Sequence, residues 1–75
     1  MLFMSSKGTY YQFITNFNGD YIRGYMVSCD ANDRFFNVNE PTFSNPVLSN
    51  KIKPVNKMIR LSKDAVVCYF EIEDN

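Results

Sequence analysis

Three polar residues that lie close together, Asp30, Asn32 and Asp33, are the group in this chain that could bind a metal ion. Carboxylate and amide oxygens are ligands for hard cations such as Ca²⁺. The same residue types also favour tight turns, because Asp and Asn side chains accept hydrogen bonds from nearby backbone amides. A polar hairpin turn explains the spacing with fewer assumptions, so we expect a turn and no metal site.

Side chains for catalysis are scarce in these 75 residues. The chain contains no histidine, the usual general base near neutral pH, and no glycine-rich phosphate-binding loop. Its two cysteines, Cys29 and Cys68, are too few for a four-ligand zinc site within one chain. Both fall in predicted strands, where we expect them to be small buried hydrophobes. The sequence therefore predicts a protein that is not an enzyme and that needs no cofactor.

The composition is that of one small globular domain, residues 1–75, built on aromatic side chains. Hydrophobic residues make up 45% of the chain, with seven phenylalanines and five tyrosines. Eight basic and eight acidic residues cancel, so the basic excess typical of duplex DNA binding is missing. Local contacts to a single strand remain compatible with this balance. No apolar run is long enough for a membrane span, so we expect a cytoplasmic protein without membrane contact.

Alternating apolar and polar residues predict five strands and no helix. Asn18-Gly19 is typical of a tight hairpin turn, and Gly24 indicates a point where the sheet bends or another backbone comes close. The last strand is almost continuously apolar, which suggests burial by the core on one side and a neighbouring subunit on the other. The predicted strands are 9–17, 21–29, 34–39, 58–61 and 65–72, with a flexible lead-in at 1–8 and a long loop at 39–57. The predicted core residues are Phe13, Phe17, Tyr25, Val27, Val67 and Phe70.

Two separated segments together resemble the Sm-like family of RNA-binding proteins, particularly its bacterial Hfq branch. The first runs from Asn18-Gly19 through Gly24 to Asp30 and is followed by Phe35-Phe36-Asn37-Val38. The second is Lys63-Asp64-Ala65-Val66, which is similar to the Lys-His-Ala-Ile motif of the Hfq branch. The resemblance implies a strongly bent, five-stranded SH3-like or Sm-like barrel with a long loop between its third and fourth strands.

The resemblance also implies a function and a set of site residues. Subunits of the family form rings by pairing the fourth strand of one subunit with the fifth of the next, here strands 58–61 and 65–72. Uridine-rich single-stranded RNA binds at the central pore. On this basis Phe35 or Phe36 would stack on a base, Asn37 would read its edge and Lys63 would line the pore. Stacking with an amide or lysine partner is how proteins commonly hold single-stranded RNA.

Two other functions fit the same sequence. A neutral domain with a long loop and an open edge strand could be a protein-interaction module, such as a phage or mobile-element factor that docks on a host protein. It could also be a purely structural assembly subunit, for which ring or filament formation is the function. Native mass and bound nucleic acid distinguish these alternatives from an RNA-binding ring.

Overall fold

A computed structural model describes residues 8–27 and 30–73, which form mainly β-structure. Five antiparallel strands make one sheet, as the sequence predicted, accompanied by one short α-helix and a 3-10 helix at Lys63–Ala65. Residues 1–7 of the predicted lead-in, and Cys29, lie outside the described part. The strands are β1 (Thr9–Thr15), β2 (Tyr21–Met26), β3 (Phe35–Phe43), β4 (Met58–Ser62) and β5 (Val66–Glu71), and the helix is α1 (Pro46–Lys51).

The sheet has the order β4-β3-β2-β1-β5, so the last two strands of the chain lie at its two opposite edges. Three residues of 3-10 helix connect these edges, because the sheet curls and brings them towards each other. The sheet is not closed into a barrel: within the described residues, β4 pairs with β3 and β5 pairs with β1. Each of β4 and β5 therefore has one side without a neighbouring strand in the sheet.

The first hairpin has the turn that its sequence predicts. Asn18 and Gly19 both have positive φ, at 55° and 74°, and the Asp20 amide donates to the Phe17 carbonyl at 3.0 Å. These are the backbone angles that a tight hairpin turn of this kind requires. The Thr15 hydroxyl also donates to the Asp20 carbonyl at 2.7 Å, which ties the end of β1 to the start of β2.

Gly24 lies where β2 and β3 approach most closely, as its place in the strand predicted. The register shifts here, because Arg23 pairs with Thr42 whereas Tyr25 pairs with Asn39. A Cβ at position 24 would collide with the Val38 side chain and lie 3.0 Å from the Asn39 carbonyl oxygen. Two residues of β3 thus face one of β2, a bulge that bends the sheet.

The core lies on one face of the curled sheet, which we call the inner face, and only part of it was predicted. Phe13 is fully buried, as expected, and its β2 neighbours on that face are Ile22 and Met26. Tyr25 is half-buried on the opposite, outer face. The prediction was wrong for four residues, which are exposed: Phe17, Val27, Val67 and Phe70. Phe17 lies in the turn after β1, Val27 follows the end of β2, and the other two belong to the edge strand β5.

The predicted loop 39–57 is not one loop, and the expectation of no helix was wrong. Strand β3 continues to Phe43, and helix α1 follows it. The Asn45 side chain accepts a hydrogen bond from the Val47 amide at 3.0 Å, and Pro46 occupies the first turn, where its missing N–H costs nothing. Leu48 anchors this single turn and a half in the core. In the described part of the chain, no helix has the length and apolar character needed to cross a membrane.

Candidate nucleic-acid interface

The polar residues 30–33 form a turn, as expected, and its geometry is set by the two aspartates. The Asp30 carboxylate accepts from the Asn32 amide at 2.9 Å, and the Asp33 carboxylate accepts from the Phe35 amide at 3.0 Å. The Asp33 amide donates to the Asp30 carbonyl at 3.0 Å. Across residues 8–27 and 30–73 there is no group of three or more His, Cys, Asp or Glu side chains that could hold a metal ion.

This turn meets the turn that connects β4 and β5, and we call the place where they meet the turn junction (residues 30–34 and 62–65). The Lys63 amide donates to the Arg34 carbonyl at 2.9 Å, and its ammonium group donates to the Asp30 carbonyl at 3.2 Å. The Ser62 hydroxyl accepts from the Asp64 amide at 3.3 Å and caps the 3-10 helix. Two segments 28 or more residues apart in sequence are therefore held together by direct hydrogen bonds.

The four residues predicted to contact RNA lie near this junction but are divided between the two faces of the sheet. Phe35 and Asn37 are on the outer face, where Phe35 is half-buried and Asn37 is exposed. Phe36 points inward, and its side chain is only 4% exposed. Its ring packs 5.3 Å from that of Phe13, so it is part of the core. Of the two aromatic residues that the sequence left open, Phe35 is the more accessible.

Arg60, an exposed residue of β4, completes the outer face of the junction. It pairs directly with Asn37 in the β3–β4 register, and its guanidinium lies 4.4 Å from the centre of the Phe35 ring. The Asp33 carboxylate lies 3.5 Å from the same guanidinium. The alternation of Arg60 with the buried Ile59 and Leu61 is enough to predict that its side chain points outward. Its contacts with Phe35 and Asn37 depend on the β3–β4 register, which the sequence does not show.

Lys63 faces the other side of the junction, towards the core. Its ammonium nitrogen lies 5.3 Å from the centre of the Phe36 ring. Beyond it is a recess of about 330 Å³ between the inner face and the β5 edge, which we call the β5 recess. Cys68 lines it and is an exposed free thiol, so the expectation that this cysteine is buried was wrong. Lys63 thus lines the β5 recess on the inner side of the junction, whereas Phe35 lies on the outer face.

The outer face of the junction combines groups that can bind a single strand, namely the Phe35 ring, the exposed Asn37 amide and the Arg60 guanidinium, and Lys63 adds a cation on its inner side. Rings and guanidinium groups stack on bases, amides read base edges and cations attract phosphates. Comparisons of the chain with protein-family models, curated proteins and solved structures found no match. Any function must therefore be argued from the residues themselves.

Proposed function

We propose that this protein is a small, non-enzymatic β-barrel module that binds single-stranded, uridine-rich RNA at the turn junction. The observation that carries the proposal is the stack of Arg60 on Phe35, beside the exposed Asn37 and next to the turn fixed by Lys63. A base that stacks on Phe35 would have the Asn37 amide and the Arg60 guanidinium within reach, and Lys63 lies on the inner side of the same junction. The preference for uridine rests on the resemblance of the two sequence segments to the Sm-like family.

The barrel and the oligomer are parts of the same proposal. The curled sheet has unpaired edges at β4 and β5, and pairing β4 of one copy with β5 of the next would close a ring of barrels. The exposed apolar side chains of β5 support this, because Val67 is 67% exposed and Phe70 is 45% exposed in the single chain. Apolar side chains on an open edge strand are typical of a strand that another chain covers. We expect the protein to act in the cytoplasm.

Binding of a labelled oligouridylate, followed by fluorescence anisotropy, tests the RNA site. Phe35→Ala should raise Kd about tenfold, since stacking on one base contributes about 1–3 kcal/mol. Lys63→Ala should also raise Kd, since it removes a cation that attracts the phosphates, and its effect should shrink as the salt concentration rises. Lys51→Ala is the matched control, because it removes a lysine that lies on the Phe17 ring, outside the turn junction. Equal Kd values for all three variants and the wild type, or no binding at all, would refute the RNA site.

A second candidate function is a protein-interaction module, and the same open β5 edge favours it. In this function the protein is a phage or mobile-element factor, and an extended segment of the host protein on which it docks adds to β5 by β-augmentation. Native mass before and after nuclease treatment, read with the absorbance ratio at 260 and 280 nm, separates the possibilities. A nuclease-sensitive ring favours the RNA function, and a ring without RNA favours a structural assembly subunit. A monomer without RNA leaves the host-protein function.

A further inference from the structure

A second recess lies beside β4, on the side away from the turn junction, and we call it the β4 recess. Its volume is about 450 Å³, within the usual range of ligand sites. The side chains that line it are amides, cations and apolar groups, a mixture suited to bind a base and a phosphate together. Its lining residues include Asn39, Ile52, Lys53, Val55, Asn56 and Met58, and it is completed by Ile59 and Arg60.

The recess lies in the one strongly basic stretch of this neutral chain. Residues 41–63 contain five basic residues and no aspartate or glutamate. Two of the five, Lys53 and Arg60, line the recess, and no carboxylate does. The Asp33 carboxylate, 3.5 Å from the Arg60 guanidinium, offsets part of this charge. The excess of basic residues still makes the recess locally positive, and an anionic group complements it.

The loop that forms the recess is held in place by backbone hydrogen bonds. The Val55 and Met58 amides and carbonyls exchange hydrogen bonds at 2.9 and 3.1 Å around a turn at Asn56 and Lys57, both of positive φ. The Glu40 amide donates to the Lys57 carbonyl at 2.7 Å, which fastens the turn to β3. The backbone that carries Val55, Asn56 and Met58 is therefore held in one conformation beside β3.

Arg60 connects this recess to the turn junction, because it both lines the recess and stacks on Phe35. Along β3 the outer face continues from Phe35 through Asn37 to Asn39, which also lines the recess. Four residues of strand cover about 13 Å at roughly 3.3 Å per residue. The stacking ring and the recess are thus two ends of one continuous surface.

We infer that the β4 recess is a second RNA subsite, occupied by a nucleotide of the same single strand that stacks on Phe35. This inference rests on the RNA function proposed above. Lys53 and Arg60 hold a phosphate, Asn39 and Asn56 donate to or accept from the base edge, and Met58 supplies an apolar contact. The RNA therefore runs across β3 and β4 instead of remaining at the turn junction, and its affinity depends on its length.

Oligomers of two lengths test the subsite, with the wild type and the variants Lys53→Gln and Asn56→Gly. Glycine keeps the positive φ of Asn56 and removes its amide. Octauridylate should bind either variant about fivefold or more weakly, whereas a uridine dinucleotide, held at Phe35, should bind all proteins equally. The salt slope of octamer binding should fall by about 0.7 for Lys53→Gln, as expected for one lost phosphate contact on a single strand. Lys51→Gln, which changes the same charge outside the recess, is the control.

Each alternative outcome is decisive. If Lys53→Gln and Lys51→Gln bind octauridylate equally and Asn56→Gly binds it like the wild type, the subsite is refuted while the RNA function stands. If the wild type binds neither oligomer, the RNA function fails and the subsite with it. If a hexaglutamate peptide binds through Lys53 and octauridylate does not, the recess belongs to an acidic protein segment and the inference is overturned. Circular dichroism melting of each variant confirms that it is folded.

Discussion

The ring centres of Phe36 and Tyr69 lie 4.9 Å apart, although β3 and β5 are separated in the sheet by β2 and β1. Two strands that are not neighbours can touch in this way only if the sheet curls until its inner face meets itself. Phe13 is on β1, which lies between β3 and β5 in the order of the sheet, and its ring centre is 5.3 Å from that of Phe36 and 5.7 Å from that of Tyr69. The contacts within this aromatic cluster therefore stabilise the curled sheet. The curl in turn brings together the two turns that form the turn junction.

Because Phe36 belongs to the cluster and Phe35 does not, replacing the two residues should destabilise the domain to very different extents. Phe36→Ala should lower the free energy of unfolding by about 3–5 kcal/mol, the usual effect of truncating a buried phenylalanine. Phe35→Ala should lower it by about 0.5–1 kcal/mol, the contribution of an exposed cation–π contact. Urea denaturation followed by circular dichroism measures both. If Phe36→Ala unfolds the domain outright, Phe36→Leu provides a milder variant, expected to lose about 1 kcal/mol. Equal effects at positions 35 and 36 would contradict the assignment of the two faces.

The close approach at Gly24 leads to a second prediction. Gly24→Ala should lower the free energy of unfolding by about 1–3 kcal/mol, because its Cβ would press on Val38 and the β3 backbone. Gly19→Asn is the matched control, since position 19 has open space around it and asparagine tolerates its positive φ. Thermal melts of both variants provide the measurement. A Gly24→Ala variant as stable as the wild type would show that the bulge is not tightly packed.

Asn45 links helix α1 to the first hairpin, so its replacement should lower the stability of the whole domain and not only of the helix. Its side chain caps α1 and also donates to the Asp20 carboxylate at 3.1 Å. Asn45→Ala should lower the free energy of unfolding by about 1 kcal/mol through the lost cap. Asn50→Ala, at an exposed position of the same helix, should change it little. Chemical denaturation distinguishes the two, and a comparable loss from Asn50→Ala would speak against a role for the cap.

The exposed side chains of β5 give a prediction about assembly. Val67→Lys and Phe70→Lys should lower the native mass measured by light scattering, because a charge in a covered strand edge opposes association. Val47→Lys, which alters an equally apolar and exposed position on α1, should leave the mass unchanged. Circular dichroism should show all three variants folded. A native mass that is the same for every variant and the wild type would exclude β5 as the contact.

The strands could be predicted from sequence because their alternation and turn residues are local properties. Which side of a strand faces inward is not local: on β2 both sides carry apolar residues, and the contact of Gly24 with Val38 decides between them. Helix α1 was not predicted because six residues have little helical stability of their own. Burial of Leu48 in the core provides the stabilisation that the isolated segment lacks. At the candidate site, alternation shows that Phe35 and Phe36 lie on opposite faces. The partnership of Arg60 with Phe35 follows only from the strand register.

The open edge of β5 has a further consequence for how this protein can exist in solution. The strand Val66–Glu71 is short, rich in β-branched and aromatic residues, and free of proline and glycine, with its single charge at the end. Sequences of this kind stack into cross-β fibrils when their backbone amides find identical copies. A partner or second copy that covers β5 would therefore also prevent amyloid growth. A preparation deprived of that cover should lose protein to thioflavin-positive aggregates as its concentration rises.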